Sequence, residues 1–246
     1  TLGRHDTDLV CFPNILVGDN CLNPGWEGNS YPNPKYSLAA RKRISRITQR
    51  RDIQQPNAPH ITLVKKAGIR LPINYDAIDN MLFELGSKLN VTTSILDLTT
   101  GHPPSAVEQV VAIEKTTLLL QPAGGIVAGA IFLPPGATSL TFGIWRPTIT
   151  PHVWDYDHSN LKHFSHISNK IVPVLKEDYD RAQSLEACHK ETRDRDQNHL
   201  KMSPYIYCSY IMDIERLRSM VQLELDLWWD IHRADGRLVN AEGKLS

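Results

Sequence analysis

The chain has 246 residues, enough to bury a sizeable core in one large domain or in one and a half smaller ones. Its 27 Lys plus Arg balance 27 Asp plus Glu, so no net field points to nucleic acid or an anionic membrane as a partner. The opening TLGRHDTDLVCF has neither the apolar core of a signal peptide nor the character of a transit peptide, and because Thr1 is not an initiator Met an upstream segment is expected.

In chain order, Leu9–Gly18 reads as two short strands broken at Pro13, and 19–36, rich in Asn, Pro and Gly, as an irregular loop. A basic segment follows, with Arg41, Lys42, Arg43, Arg46, Arg50 and Arg51 and no acid among them. It suits a solvated helix face better than a dedicated acidic partner. Gln54–Pro59 reads as a linker. From His60 an alternating rhythm begins. His60–Val64 is a strand, and Ala77, Ile78, Met81, Leu82, Leu85 and Leu89 mark one face of a helix that starts near Asn74 or Asp76. Thr93–Leu98 is a second strand. Ser105 and Glu108 form a capping box that opens a helix with Val107, Val110 and Val111 on its apolar face.

Leu118–Gln121 and Thr138–Phe142 complete the strands of this region. Between them Ala123-Gly124-Gly125 forms a small-residue turn at a strand's carboxyl end, followed by a helix-compatible segment and a Pro134-Pro135-Gly136 stop. Residues 117–135 are the most apolar of the chain, but Gln121, Pro122, Pro134 and Pro135 argue against a membrane span. The linking helices are long enough for right-handed parallel crossovers, so residues 60–143 are predicted to form a doubly wound parallel sheet. Free backbone N–H groups and a helix dipole at the Ala123–Gly125 turn suit an anion such as a diphosphate. Glycine there lets the backbone approach it, although small residues at such a turn also serve close helix–strand packing. Beyond the sheet, Asn160–Leu175 is expected to be a helix, Ser184–Lys201 is highly charged, and Asp213–Trp229 is an amphipathic helix. Its apolar positions Ile214, Leu217, Met220, Val221, Leu225 and Trp228 are expected to pack on the sheet.

Other constellations weigh less. His158, His163 and His166, with Asp155 and Asp157, match no zinc spacing, and Cys188, His189, His199 and Cys208 lack a C-x(2–4)-C core, so no metal is expected. No G-x-G-x-x-G follows a strand, and no P-loop or G-x-S-x-G elbow is present. The four cysteines, Cys11, Cys21, Cys188 and Cys208, permit three pairings. Cys11 with Cys21 and Cys188 with Cys208 is the simplest, and free thiols are the alternative. Asn90-Val91-Thr92 is an acceptor tripeptide for N-glycosylation, a pointer to a secretory lumen.

The segments LVKKAGIRLPIN (Leu63–Asn74), Glu108-Gln109 and LLLQPAGGIVAGAIFLPPGATSLTF (Leu118–Phe142) resemble, in order and spacing, glycosyltransferase family 61. The resemblance covers roughly 9–175, with Cys11-Phe12 and Leu16-Val17-Gly18 at its upstream end, and is densest over 60–142. It implies a GT-B enzyme whose Rossmann-like donor lobe spans 60–175. Residues 1–59 would be a remnant of, or link to, an acceptor lobe, and 176–246 a helical C-terminal extension. It implies inverting transfer from a nucleotide sugar to a protein or glycan hydroxyl, no cofactor, and residence in the lumen of the endoplasmic reticulum or Golgi. In the family's Arg-x(4)-Arg-x(3)-Asn motif the first Arg falls on Lys65, the second on Arg70 and the Asn on Asn74. Its His-Gly-Ala turn falls on Ala123, Gly124 and Gly125, and its last-strand Glu on Thr141.

These seven positions are the donor-binding set the resemblance implies, with Lys65 and Arg70 expected to share one cleft with the backbone N–H groups of 123–127. Lysine at 65 keeps a charge but loses the bidentate fork, and the family's imidazole and carboxylate are absent at Ala123 and Thr141. No general base is assigned. His152, Asp155 and Asp157 follow the last strand of the region within possible reach of a cleft, though placement on the surface is the simpler reading. The losses at 123 and 141 and the short acceptor half support the alternative of a catalytically degenerate domain, retained as a structural subunit beside others that supply the missing lobe.

Overall fold

In the computed structural model, residues 56–68, 71–145, 167–182 and 208–234 are described. Arg70, the strands and loop expected before residue 55, the basic segment, His152 to His166, the charged stretch 184–201 and Cys11, Cys21 and Cys188 lie outside them.

Five strands form one all-parallel sheet in the order β2-β1-β3-β4-β5. They are β1 (His60–Lys65), β2 (Thr92–Asp97), β3 (Leu118–Pro122), β4 (Thr138–Trp145) and β5 (Ser168–Val174). Helix α1 (Tyr75–Leu89) connects β1 to β2, α2 (Ala106–Glu114) connects β2 to β3, and a 3-10 helix (Gly125–Phe132) follows β3. A short α3 (Lys176–Asp180) follows β5, and α4 (Ile214–Ala234) is the last helix among the described residues. Alternation along the strands divides the core into two. Ile61, Leu63, Leu118, Leu120, Leu140, Phe142, Val172 and Val174 pack with Ile78, Met81 and Leu82 of α1 and Leu217, Val221 and Leu225 of α4. Val64, Leu96, Leu119 and Ile171 face the other way, against Ile113 of α2 and Ala130 and Ile131 of the 3-10 helix. Helices therefore cover both faces, which makes the fold Rossmann-like, and strands buried on both sides read as continuous apolar runs.

The helix boundaries follow local chemistry. Ser105 accepts from the Glu108 N–H while the Glu108 carboxylate accepts from the Ser105 N–H, closing the expected capping box. Helix α1 ends where Asn90 takes a left-handed conformation, φ 53° and ψ 44°, and the Val91 N–H returns to the Gly86 carbonyl at 3.1 Å. The amphipathic pattern of 213–229 is realised as α4, which extends to Ala234.

One expectation is corrected and another is refined. Residues 168–174, read as part of a helix over 160–175, form β5, which pairs with β4 along its length. Ile171, Val172 and Val174 are β-branched, and the two faces of the sheet bury them fully, so packing on both sides outweighs any helical periodicity. The segment after the Ala123–Gly125 turn is a 3-10 helix. Its glycines are poor α-formers, and Gly129 lets it lie against α2, where a Cβ would come 3.1 Å from Ile113 Cδ1.

Polar contacts fasten the later elements to the sheet. Asp178, 1% exposed, accepts from Arg216 at 2.6 Å, from Arg181 at 2.7 Å and from the Leu175 N–H at 2.8 Å. Arg216 also donates to the Pro173 carbonyl at 2.9 Å. At the other end of the sheet Glu224 holds Lys170 and the Thr138 hydroxyl.

Candidate functional site at the carboxyl ends of the strands

The strand order places the topological switch between β1 and β3. Helix α1 leaves β1 toward β2 on one face, and the 3-10 helix leaves β3 on the other. Diverging connections open a crevice at the carboxyl ends of the two central strands, where ligands of such sheets bind. The chain brings Lys65 to Gly68 and Pro122 to Gly125 to that edge.

Consecutive residues of a strand leave on opposite faces, and the two lysines divide accordingly. Lys65 lies on the α1 side, with its ammonium 2.5 Å from Asp79 Oδ2 and 5.5 Å from the centre of the Tyr75 ring. Burial pushes the Tyr75 phenol up to about 12, and the nearby Asp97 and Asp79 carboxylates push in the same direction. Lys66 lies on the side of the 3-10 helix and donates to the Ala123 carbonyl at 2.8 Å, bridging the ends of β1 and β3. The Ala123 N–H is bonded to the Phe142 carbonyl at 2.7 Å.

Gly124 has φ 133° and ψ −165°, a region essentially reserved for glycine. A Cβ there would stand 3.0 Å from Lys66 Nζ, so the ammonium lies against the bare backbone that opens the 3-10 helix at Gly125. Beneath it, Gln121 of β3 and Thr141 of β4 are register partners and fully buried. The Gln121 amide donates to Ser139 Oγ at 2.8 Å, while Gln121 Oε1 and Thr141 Oγ1 have no hydrogen-bond partner. Asn74 is spent on the chain itself: its amide nitrogen donates to the Met212 carbonyl at 3.0 Å, and its oxygen accepts the Met212 N–H at 2.9 Å. Together with Tyr210, which bonds to Leu71 and Ile73, this clamp fixes the segment after β1 to the start of α4.

Of the seven expected positions, Ala123, Gly124 and Gly125 lie at the switch point, and Thr141 lies buried beneath the 3-10 helix face. Lys65 and Asn74 are engaged on the α1 and α4 side, and Arg70 is outside the described residues. Among the described residues no group of three or more His, Cys, Asp or Glu is arranged to hold a metal ion.

No family model and no curated protein matches this chain. The family resemblance therefore rests on the motif residues, and the geometry is read on its own terms. Sequence reasoning passed over Lys66 and Gln121. The signal for Lys66 was present in the Lys65-Lys66 pair, since adjacent lysines at a strand end must part to opposite faces. The signal for Gln121 was a lone polar residue closing an apolar strand.

Proposed function

We propose that this chain is a glycosyltransferase-like domain that receives the diphosphate of a nucleotide-sugar donor at the switch point between β1 and β3. The observation that carries the reading is the juxtaposition of the Lys66 ammonium with the glycine-only backbone of Gly124 at the start of the 3-10 helix. An ammonium beside backbone that a phosphate can approach closely is the combination a diphosphate needs. In inverting transfer the acceptor hydroxyl gives its proton to a base and its oxygen attacks the anomeric carbon. The bond from that carbon to the diphosphate breaks, and the electron pair leaves on the nucleoside diphosphate. Lys66 offsets the charge that grows there, and the rest of catalysis is positioning. The donor-lobe assignment, the lumenal location and a protein or glycan acceptor belong to the same reading. Among the described residues no helix is long and apolar enough to cross a membrane.

A second reading is favoured by one specific observation. Lys65, Asn74 and the Ala123 N–H, all expected at the donor, are satisfied within the chain. That suits a degenerate domain serving as a structural subunit. Thermal melts with a panel of uridine-diphosphate sugars separate the two. A donor at a hundred times its Kd stabilises by about 2.7 kcal/mol, and on the enzyme reading Lys66→Met abolishes that gain while Lys65→Met retains it. Absence of stabilisation and of binding heat with every sugar selects the structural reading.

A further inference from the structure

We infer that Asn90 carries an N-linked glycan. Asn90-Val91-Thr92 is the one Asn-x-Ser/Thr tripeptide in the whole sequence, and the fold presents it in a form suited to modification. Asn90 and Thr92 are exposed, while Val91 between them is 5% exposed and anchors the turn in the core. Asn90 is the left-handed residue that ends α1, with its backbone N–H spent on the Gly86 carbonyl, and the residue is exposed. The turn is fixed from both sides, by α1 before it and by the Thr92 N–H on the Pro59 carbonyl at 3.2 Å after it.

A second, independent feature identifies the compartment. Cys208, 1% exposed, is disulfide-bonded, and its partner must be Cys11, Cys21 or Cys188. A buried structural disulfide belongs to an oxidising lumen, where the modification takes place. The chemistry needs one co-reactant, a lipid-diphosphate-linked oligosaccharide. The Asn90 amide nitrogen loses a proton and forms a bond to the anomeric carbon. The bond from that carbon to the diphosphate breaks, and the lipid diphosphate leaves with the electron pair.

The position is compatible with a working crevice. Asn90 precedes β2 at the amino end of the sheet, and the candidate site lies at the carboxyl end, about 20 Å away for a strand of six residues. The glycan would also stand beside the edge strand, where Thr92, Thr93 and Ile95 are exposed, and hinder pairing with another chain.

The test is secretion of the full chain from a eukaryotic host, followed by peptide-N-glycosidase digestion and peptide mass mapping. A single mobility shift is expected, with Asn90 converted to Asp by the enzyme. Asn90→Gln and Thr92→Ala should lose the shift, whereas Thr92→Ser, which keeps the hydroxyl, should retain it. If the variants fail to accumulate, the wild-type peptide map alone decides. A secreted, disulfide-bonded wild-type protein with Asn90 unmodified overturns the inference, as does a shift that survives Asn90→Gln. Both results are independent of whether the chain binds a nucleotide sugar.

Discussion

Replacing Gly124 with alanine tests the core of the site. At φ 133° and ψ −165° a residue with a Cβ is strained by about 1–3 kcal/mol whatever surrounds it. The new methyl would also meet Lys66 Nζ at 3.0 Å. The ammonium terminates a flexible side chain and can retreat, but only by loosening its 2.8 Å bond to the Ala123 carbonyl. Hydrogen bonds to charged groups contribute about 1.5–3 kcal/mol, and partial exposure of this one argues for the lower end. Gly124→Ala should therefore destabilise by about 2–4 kcal/mol, or roughly 4–16 °C in Tm for a chain of this size.

Urea unfolding of wild type, Gly124→Ala, Lys66→Met and the double variant resolves the two contributions. With m unchanged, the cycle should show a coupling of about 1 kcal/mol, because without Lys66 only the backbone share of the cost remains. A Gly124→Ala protein within about 0.5 kcal/mol of wild type would refute the backbone argument. An equal cost in both backgrounds would refute the contact with Lys66.

Three further outcomes are expected. Gly86→Ala gains about 1 kcal/mol in helix propensity, yet its Cβ would lie 2.9 Å from the Val91 carbonyl oxygen, fixed backbone in the turn that ends α1. Overpacking of about 1–3 kcal/mol should win, so thermal melts should show a lower Tm, and a rise would mean the turn yields. Asp178→Ala removes the nearer carboxylate of Arg216, 11% exposed, and leaves it Asp213 at 3.4 Å and the Pro173 carbonyl, so it should cost about 3 kcal/mol, the low end for a broken buried pair, by urea unfolding; a loss below about 1 kcal/mol would show the cluster is not a fastening point. The His60 ring, bonded to Thr92 at 2.7 Å and Ser94 at 2.9 Å, is held below its ordinary pKa by burial and then by Lys115. The unfolded chain then binds the extra proton first, so His60 should weaken the fold as pH falls from about 6.5 toward its lower folded value. His60→Gln should flatten that part of the stability profile, and an unchanged slope there would remove His60 as its source.

The sheet was legible because its signals are long and redundant. The run Leu118–Gln121, the helical spacing of Ile78, Met81, Leu82 and Leu85, and the Ser105–Glu108 capping box each point to one structure without outside help. The fifth strand was not legible. The seven residues 168–174 are too few to separate a doubly buried strand from a helix by period alone, and the decision lies with β4, which is distant in sequence. The site divides in the same way. Backbone-determined features, the turn at 123–125 and its place at a strand end, follow from local composition. Partners of polar side chains do not. Asn74 finds Met212, a contact 138 residues away that no spacing rule anticipates, and Lys65 finds Asp79 only because α1 folds back over β1.

The exchange that a diphosphate would require can be reasoned from these contacts. The Lys66 ammonium donates to the Ala123 carbonyl at 2.8 Å, and from a phosphate oxygen it would gain a further, ionised acceptor. Lys65 has no such gain, because leaving Asp79 would abandon one ion pair to make another and would leave a carboxylate 27% exposed without its counter-charge. The two lysines therefore meet different surroundings on opposite faces of the sheet, although they are adjacent and chemically identical. Gly124 completes the asymmetry: it removes the one Cβ that would stand between the Lys66 ammonium and the backbone at the mouth of the crevice. An ammonium beside backbone that a phosphate can approach closely is the pairing through which this end of the sheet would favour an anion.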